Sequence, residues 1–269
     1  LFGPQPDVLE SVHVPVALAT SYSTPHIPVY AHKLAEDFWP GPMTLILTRS
    51  DRAGDFVTGG QDTVGLRVPD DTTALALLAE FEKQGGTGVA APSANRFGKV
   101  SPTTAQAVRE ELSAYMDPQD MILEGGQSDV GIESTIIDCT GPAPRILRPG
   151  AITAAMIERS TGLRIGEADT SIRVSGSLES HYAPTARVVL NHTPEPGDGL
   201  IALEEIVTPE GVVRIASPST TREYANQLYA ALRQADELGL SKVVAVTPEG
   251  DDIALAITDR LQRASFPQS

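Results

Sequence analysis

The chain has 269 residues, 41% hydrophobic and 20% charged, with a formal net charge of −15. That balance fits one or two globular domains, and the acidity argues against stable binding of nucleic acid, which needs a basic surface. No run approaches 18 consecutive apolar residues, no basic and then apolar leader is visible, and Cys139 is the single cysteine, so no membrane span, secretory signal or internal disulfide is expected and a reducing cytoplasm is favoured.

Residues 29–38 carry a helical pattern that stops at Trp39-Pro40-Gly41-Pro42, since two prolines around a glycine cannot continue a helix. MTLIL at 43–47 reads as a buried strand, 64–68 as a second, 72–83 as a helix and 89–91 as a short strand. Ser101 suits a helix N-cap with Pro102 at the first helical position. Ala105, Val108, Leu112 and Met116 then recur at helical spacing. Strands are expected at 121–124, 134–139 and 145–147, and a helix at 153–161. Cys139 reads as a small buried residue rather than a reactive thiol.

Residues 162–186 lose periodicity and read as a linker containing SHYAP at 180–184. Strands at 187–190, 200–204, 211–216 and 242–247 then alternate with helices at 220–238 and 252–264, the pattern of a small sheet with helical cover. The expected division is therefore 1–161, a linker at 162–186, and 187–269.

No Walker A sequence, G-x-G-x-x-G or G-x-S-x-G occurs, and the five histidines lack metal-ligand spacing. No protein-held metal is expected. What remains is a set of small polar residues and arginines at strand ends: Thr63, Arg67, Ser93, Asn95, Ser101, Ser134 and Arg148. Hydroxyls, a helix N-terminus and Arg forks suit phosphate and carboxylate. The same residues also make ordinary turn caps, and pattern alone leaves both readings open.

Five stretches, KLAEDFWPGPMTLIL (33–47), TVGLRVPDD (63–71), APSANRFGKVSPTTAQAV (91–108), DVGIESTIIDCTG (129–141) and RILRPG (145–150), resemble the YrdC-domain family. With SHYAP and a second α/β unit, the chain is similar to the family's two-domain threonylcarbamoyl-adenylate synthases. The resemblance implies a YrdC-like twisted mixed-sheet α/β domain followed by a smaller Rossmann-like α/β domain. It implies that L-threonine, bicarbonate and ATP give threonylcarbamoyl-AMP, pyrophosphate and water. Mg²⁺ would arrive with the nucleotide. The product would pass to a separate system that transfers the group to tRNA.

By the same resemblance Thr63, Ser93, Ser101, Arg148, His181 and Tyr182 contact ATP, with Ser93 and Asn95 in the catalytic set. His13, Arg67, Ala91 and Ser134 contact threonine. His181 and Tyr182 would close over the site. The family's P-T-E-T-x-Y-G-L stretch has no counterpart. Its K-x-R-P-x-x-N-P-L-x-x-H stretch is met only at the final histidine, by His13. The absent Lys and Arg keep open a nucleotide-binding module of impaired activity. A carbamoyltransferase use of the domain is the other alternative, against which SHYAP and the small second unit weigh.

Overall fold

A computed structural model describes residues 11–14, 21–168, 171–176 and 182–266. The chain forms two compact units. One comprises residues 1–92 and 133–177, the other residues 93–132 and 178–269. The segment 93–132 thus packs with the C-terminal part of the chain, although it lies within the first region of the sequence division. Among the described residues no helix is long and apolar enough to cross a membrane.

The first unit is built on a six-stranded mixed sheet of order β4-β1-β3-β2-β5-β6. Its strands are β1 (Ser11–His13), β2 (Met43–Thr48), β3 (Thr63–Arg67), β4 (Val89–Ala90), β5 (Thr135–Asp138) and β6 (Arg145–Arg148). Period-two alternation divides their side chains between two faces. Val12, Leu45, Leu47, Val64, Leu66 and Ile137 point into one core. Helix α1 (Val29–Phe38) covers that core with Tyr30, Ala31 and Leu34, and α5 (Ala154–Thr161) adds Ile157. Thr153 caps α5 by accepting from the Met156 N–H at 3.3 Å. Two further helices, α2 (Asp55–Thr58) and α3 (Thr72–Lys83), flank β3 in sequence, and Asp71 caps α3 by accepting from the Ala74 N–H at 2.7 Å.

The second unit holds a four-stranded, all-parallel sheet of order β7-β10-β8-β9. Its strands are β7 (Arg187–Leu190), β8 (Gly199–Ile201), β9 (Val213–Ala216) and β10 (Lys242–Ala245). Val243, Val244 and Ala245 are fully buried, as expected for a parallel strand covered on both faces. Helix α6 (Thr221–Glu237) contributes Tyr224, Ala225, Leu228, Tyr229, Ala231 and Leu232 to the core, and α7 (Ile253–Ser265) adds Ile257 and Leu261. Helix α4 (Ala105–Leu112) belongs to the same unit.

Three expectations for 93–132 need correction. The cap of α4 is Thr104, whose hydroxyl accepts from the Ala107 N–H at 3.1 Å, not Ser101. Met116 lies beyond the helix, which passes into a 3-10 turn at Ser113–Tyr115. There the Ser113 hydroxyl takes the Arg109 carbonyl. No strand forms at 121–124. Met121 is 83% exposed, and an apolar run without a partner strand gains nothing by extending. Cys139 is buried just past β5, and burial pushes its thiol well above the usual range. It is no nucleophile.

Candidate active site

The sheet face opposite the core of the first unit carries the chemistry. In β3, Thr63, Gly65 and Arg67 share that face. His13 lies beside Arg67 in register, because β1 and β3 are parallel. Leu45 pairs Leu66, so Thr44 falls opposite Arg67. On β5, Ile136 pairs with both Thr44 and Arg148. His13, Arg67, Thr44, Ser134 and Arg148 therefore gather at one end of the sheet. Thr63 stands at the far end of the same strand, about 13 Å away at a strand's rise per residue.

Arg67 donates from Nε to the Gly41 carbonyl at 3.1 Å, and its Nη2 stands 3.7 Å from the Asp70 carboxylate. Burial lowers the guanidinium's pKa. Asp70 counters this, while Arg148 adds to it. Arg67 stays charged nonetheless, because an arginine does not lose its proton in a protein. A half-buried cation with one loose partner is a receptor for a carboxylate.

Arg148 is buried and fixed. It donates from Nε and Nη2 to the Ser134 carbonyl at 3.1 and 3.0 Å, and from Nη2 to the Ser134 hydroxyl at 3.2 Å. Its Nη1 reaches the Ser175 carbonyl at 3.0 Å. The Thr44 hydroxyl lies 2.8 Å from the Ser134 hydroxyl. Burial and Arg67 together lower His13 to about 4, so its imidazole is neutral at physiological pH. On this face Ile172 and Val174 pack with Ile46 and Ile136. Gln61 and Arg173 exchange hydrogen bonds at 2.8 and 2.9 Å. The Thr63 hydroxyl is buried without a hydrogen-bond partner, an acceptor or donor left for something else.

Ala91 follows β4 and is half-buried. The polar run after it belongs to the second unit. Ser93 is exposed, and its carbonyl accepts from the Asn95 N–H at 3.0 Å. Asn95 is buried. Its amide nitrogen donates to the Arg96 and Lys99 carbonyls at 2.9 and 3.1 Å, and its amide oxygen has no partner. Asn95 thus shapes the loop as well as offering one acceptor. Ser101 is 6% exposed.

His181 lies outside the described residues. Tyr182 is placed differently from the expectation of a residue closing over nucleotide. It is 1% exposed, stacks on Tyr229 with ring centroids 5.4 Å apart, and lies under the buried Arg260 guanidinium at 5.7 Å. Its φ of 62° is left-handed, a backbone state costly for a bulky residue and sustained here by that packing. In this conformation Tyr182 is a core residue.

Thr44, Gly41 and Asp70 were not singled out from sequence. Thr44 had a signal, because it is the polar residue in an apolar strand at the register of Arg67. Among the described residues no group of three or more His, Cys, Asp or Glu is placed to hold a metal ion.

The family model described as "Telomere recombination" matches residues 12–150, and the model for "Threonylcarbamoyl-AMP synthase, C-terminal domain" matches residues 152–265. The threonylcarbamoyl-AMP synthase of Pyrococcus abyssi is 36% identical over 260 residues, covering 89% of this chain and 74% of that protein. That of Bacillus subtilis is 34% identical over 261 residues, covering 88% and 73%. The crystal structure of P. abyssi Sua5 complexed with L-threonine superposes with a TM-score of 0.84 at 32% identity, covering 98% of this chain and 82% of that one. A variant of that protein with a His and the following Tyr replaced by Ala gives 0.83 at 30% identity, covering 98% and 80%.

Proposed function

The chain belongs to the threonylcarbamoyl-AMP synthase family, and on that footing we propose that it joins L-threonine, bicarbonate and ATP into threonylcarbamoyl-AMP. Pyrophosphate and water are the other products. The observation that carries this reading is the sheet end where Arg67 faces a single loose carboxylate beside neutral His13 and the Ser134 hydroxyl. An amino acid needs those three functions: a cation for its carboxylate, an uncharged acceptor near its amine, and a small polar group for its side chain.

Arg67 takes the threonine carboxylate and Ser134 contacts the amino acid. Ala91 offers backbone to it. His13, neutral at physiological pH, can accept a hydrogen bond from the amine without repelling an ammonium. The free amine attacks the bicarbonate carbon, water leaves, and a carbamate forms. A carbamate oxygen then attacks the α-phosphorus of ATP and pyrophosphate departs. Such a displacement depends on positioning and charge neutralisation, with Mg²⁺ carried in as part of the nucleotide substrate. Arg148 and the unpartnered Thr63 hydroxyl are assigned to the nucleotide. Ser93, Asn95 and Ser101 are the further residues assigned to ATP.

The match of residues 152–265 to the synthase C-terminal domain favours this reading over a carbamoyltransferase. The adjacent His-Tyr pair replaced in the P. abyssi variant has one counterpart in this sequence, His181-Tyr182. The product, a reactive mixed anhydride, requires an acceptor system that carries it to tRNA, and the net charge of −15 suits a protein that does not itself grip tRNA. The lone buried cysteine suits a reducing cytoplasm.

The test is pyrophosphate release with ATP and bicarbonate, with and without L-threonine, with the nucleotide product identified by mass. Release that requires threonine and yields threonylcarbamoyl-AMP supports the reading. Release indifferent to threonine, or none, overturns it.

A further inference from the structure

The sequence of α6 gives no hint of chemistry, yet its Arg233 reaches the loop that carries Asn95 and Ser101. Arg233 donates from Nη2 to the Val100 carbonyl, and its Nη1 lies 3.6 Å from the Glu111 carboxylate. Glu111, on α4, accepts from Arg96 Nε at 2.8 Å and from the Arg96 N–H at 3.3 Å. Glu111 and Arg233 are 11% and 17% exposed. Burial works against the charge of Glu111, but the hydrogen bonds from Arg96 and the nearby Arg233 hold its carboxyl below the ordinary glutamate value. One carboxylate thus joins the start of the loop to α6.

The loop is held at further points. The Ala183 N–H donates to the Gly98 carbonyl at 3.0 Å. The Val100 side chain lies in the core formed by Tyr224, Leu228 and their neighbours. Farther along the same segment, Asn226 of α6 donates to the Ser128 and Asp129 carbonyls at 2.8 and 3.0 Å. Gly131 sits so close to α6 that an added Cβ would meet the Asn226 Cα at 2.4 Å.

We propose that Arg233 is a positioning residue for nucleotide binding: by holding the Val100 carbonyl and Glu111, it fixes the backbone that presents Asn95 and Ser101. Helix α6 then has a part in the reaction that touches no substrate. It supplies the rigid bed on which the nucleotide loop is shaped. This rests on the assignment of Asn95 and Ser101 to ATP made above.

The test compares the full chain with Arg233→Met, Arg233→Lys and Glu111→Gln. ATP binding is read by calorimetry, threonine and ATP KM by pyrophosphate release, and loop order by hydrogen exchange over 96–101. Arg233→Met keeps the apolar stem and removes the fork. It should weaken ATP about 10-fold, the scale of one charge-assisted hydrogen bond. The threonine KM should stay within about two-fold, and exchange over 96–101 should quicken while β7–β10 stay protected. Arg233→Lys should recover part of the ATP affinity. Glu111→Gln should act in the same direction as Arg233→Met but less strongly. Unchanged ATP affinity and loop exchange in folded Arg233→Met and Glu111→Gln would overturn the positioning role and leave the reaction assignment standing. Failure of the unaltered chain to bind ATP would overturn both.

Discussion

The two sheets treat their polar groups in opposite ways. In the parallel sheet of the second unit, a ligand would be sought at the carboxyl ends of the strands, beside the strand that breaks the order. Those ends are consumed by the unit itself. Arg214 donates to the carbonyls of Ala202, Leu203, Ile206 and Ala216 at 2.7–2.8 Å. Asn191 and Thr247 bond each other, and Glu223 closes on Ser219 at the head of α6. The mixed sheet instead keeps an arginine with one loose carboxylate and a buried hydroxyl with no partner. Saturated polar groups stabilise a fold; incompletely satisfied ones mark where a substrate completes it.

That contrast predicts that substitutions in the second sheet cost stability and leave substrate binding alone, with the reverse in the first. The largest effect belongs to Arg214→Ala. Stripping a fork from four carbonyls should cost about 3 kcal/mol of stability, with threonine affinity unchanged within about two-fold. Urea unfolding and calorimetry read the two halves. A threonine defect as large as the stability loss would erase the contrast.

His13 gives a pH signature in the first sheet. Its folded value of about 4 lies below the ordinary 6.5. Below 6.5 the unfolded chain takes up a proton that the folded chain refuses. Stability contributed by His13 is therefore level above that pH and falls toward 4, by at most about 3 kcal/mol. Replacing it by Gln should flatten the difference between unfolding free energies at pH 7 and pH 5. An unaltered difference would place the imidazole in water.

Arg67→Ala should weaken threonine by about 1.5–3 kcal/mol, or 10-fold and more, while ATP affinity changes little. Equal losses for both ligands would remove Arg67 from the carboxylate. The smallest effect has an informative sign. Thr63→Val replaces a buried unpartnered hydroxyl by a methyl group, so the free protein should be unchanged or more stable by up to about 1 kcal/mol, while ATP binds several-fold more weakly. A destabilised free protein would mean the hydroxyl is already satisfied.

Much of the fold was legible because its signals are local. The turn at Pro40 and Pro42 ends α1 at Phe38, and α3 spans the expected 72–83. Where a local signal failed, tertiary packing decided. Ser101-Pro102 reads as a helix start, but the cap is Thr104, and Ser101 is buried after Val100, which sits in the second core. Residues 121–124 have strand-like side chains but no neighbour to pair with. The site's charged residues could be named from their stretches, but the Thr44–Ser134–Arg148 contact joins residues up to 104 positions apart in the chain. The hold of Arg233 on Val100, 133 positions away, has no sequence signature at all.

The most direct test of the account is a crystal structure of the chain with L-threonine. The amino-acid carboxylate should lie on the Arg67 guanidinium in place of Asp70, with Ser134 and His13 beside it. Threonine bound instead in the hollow of about 560 Å³ along the edge strand β7, with Arg67 still turned to Asp70, would contradict it.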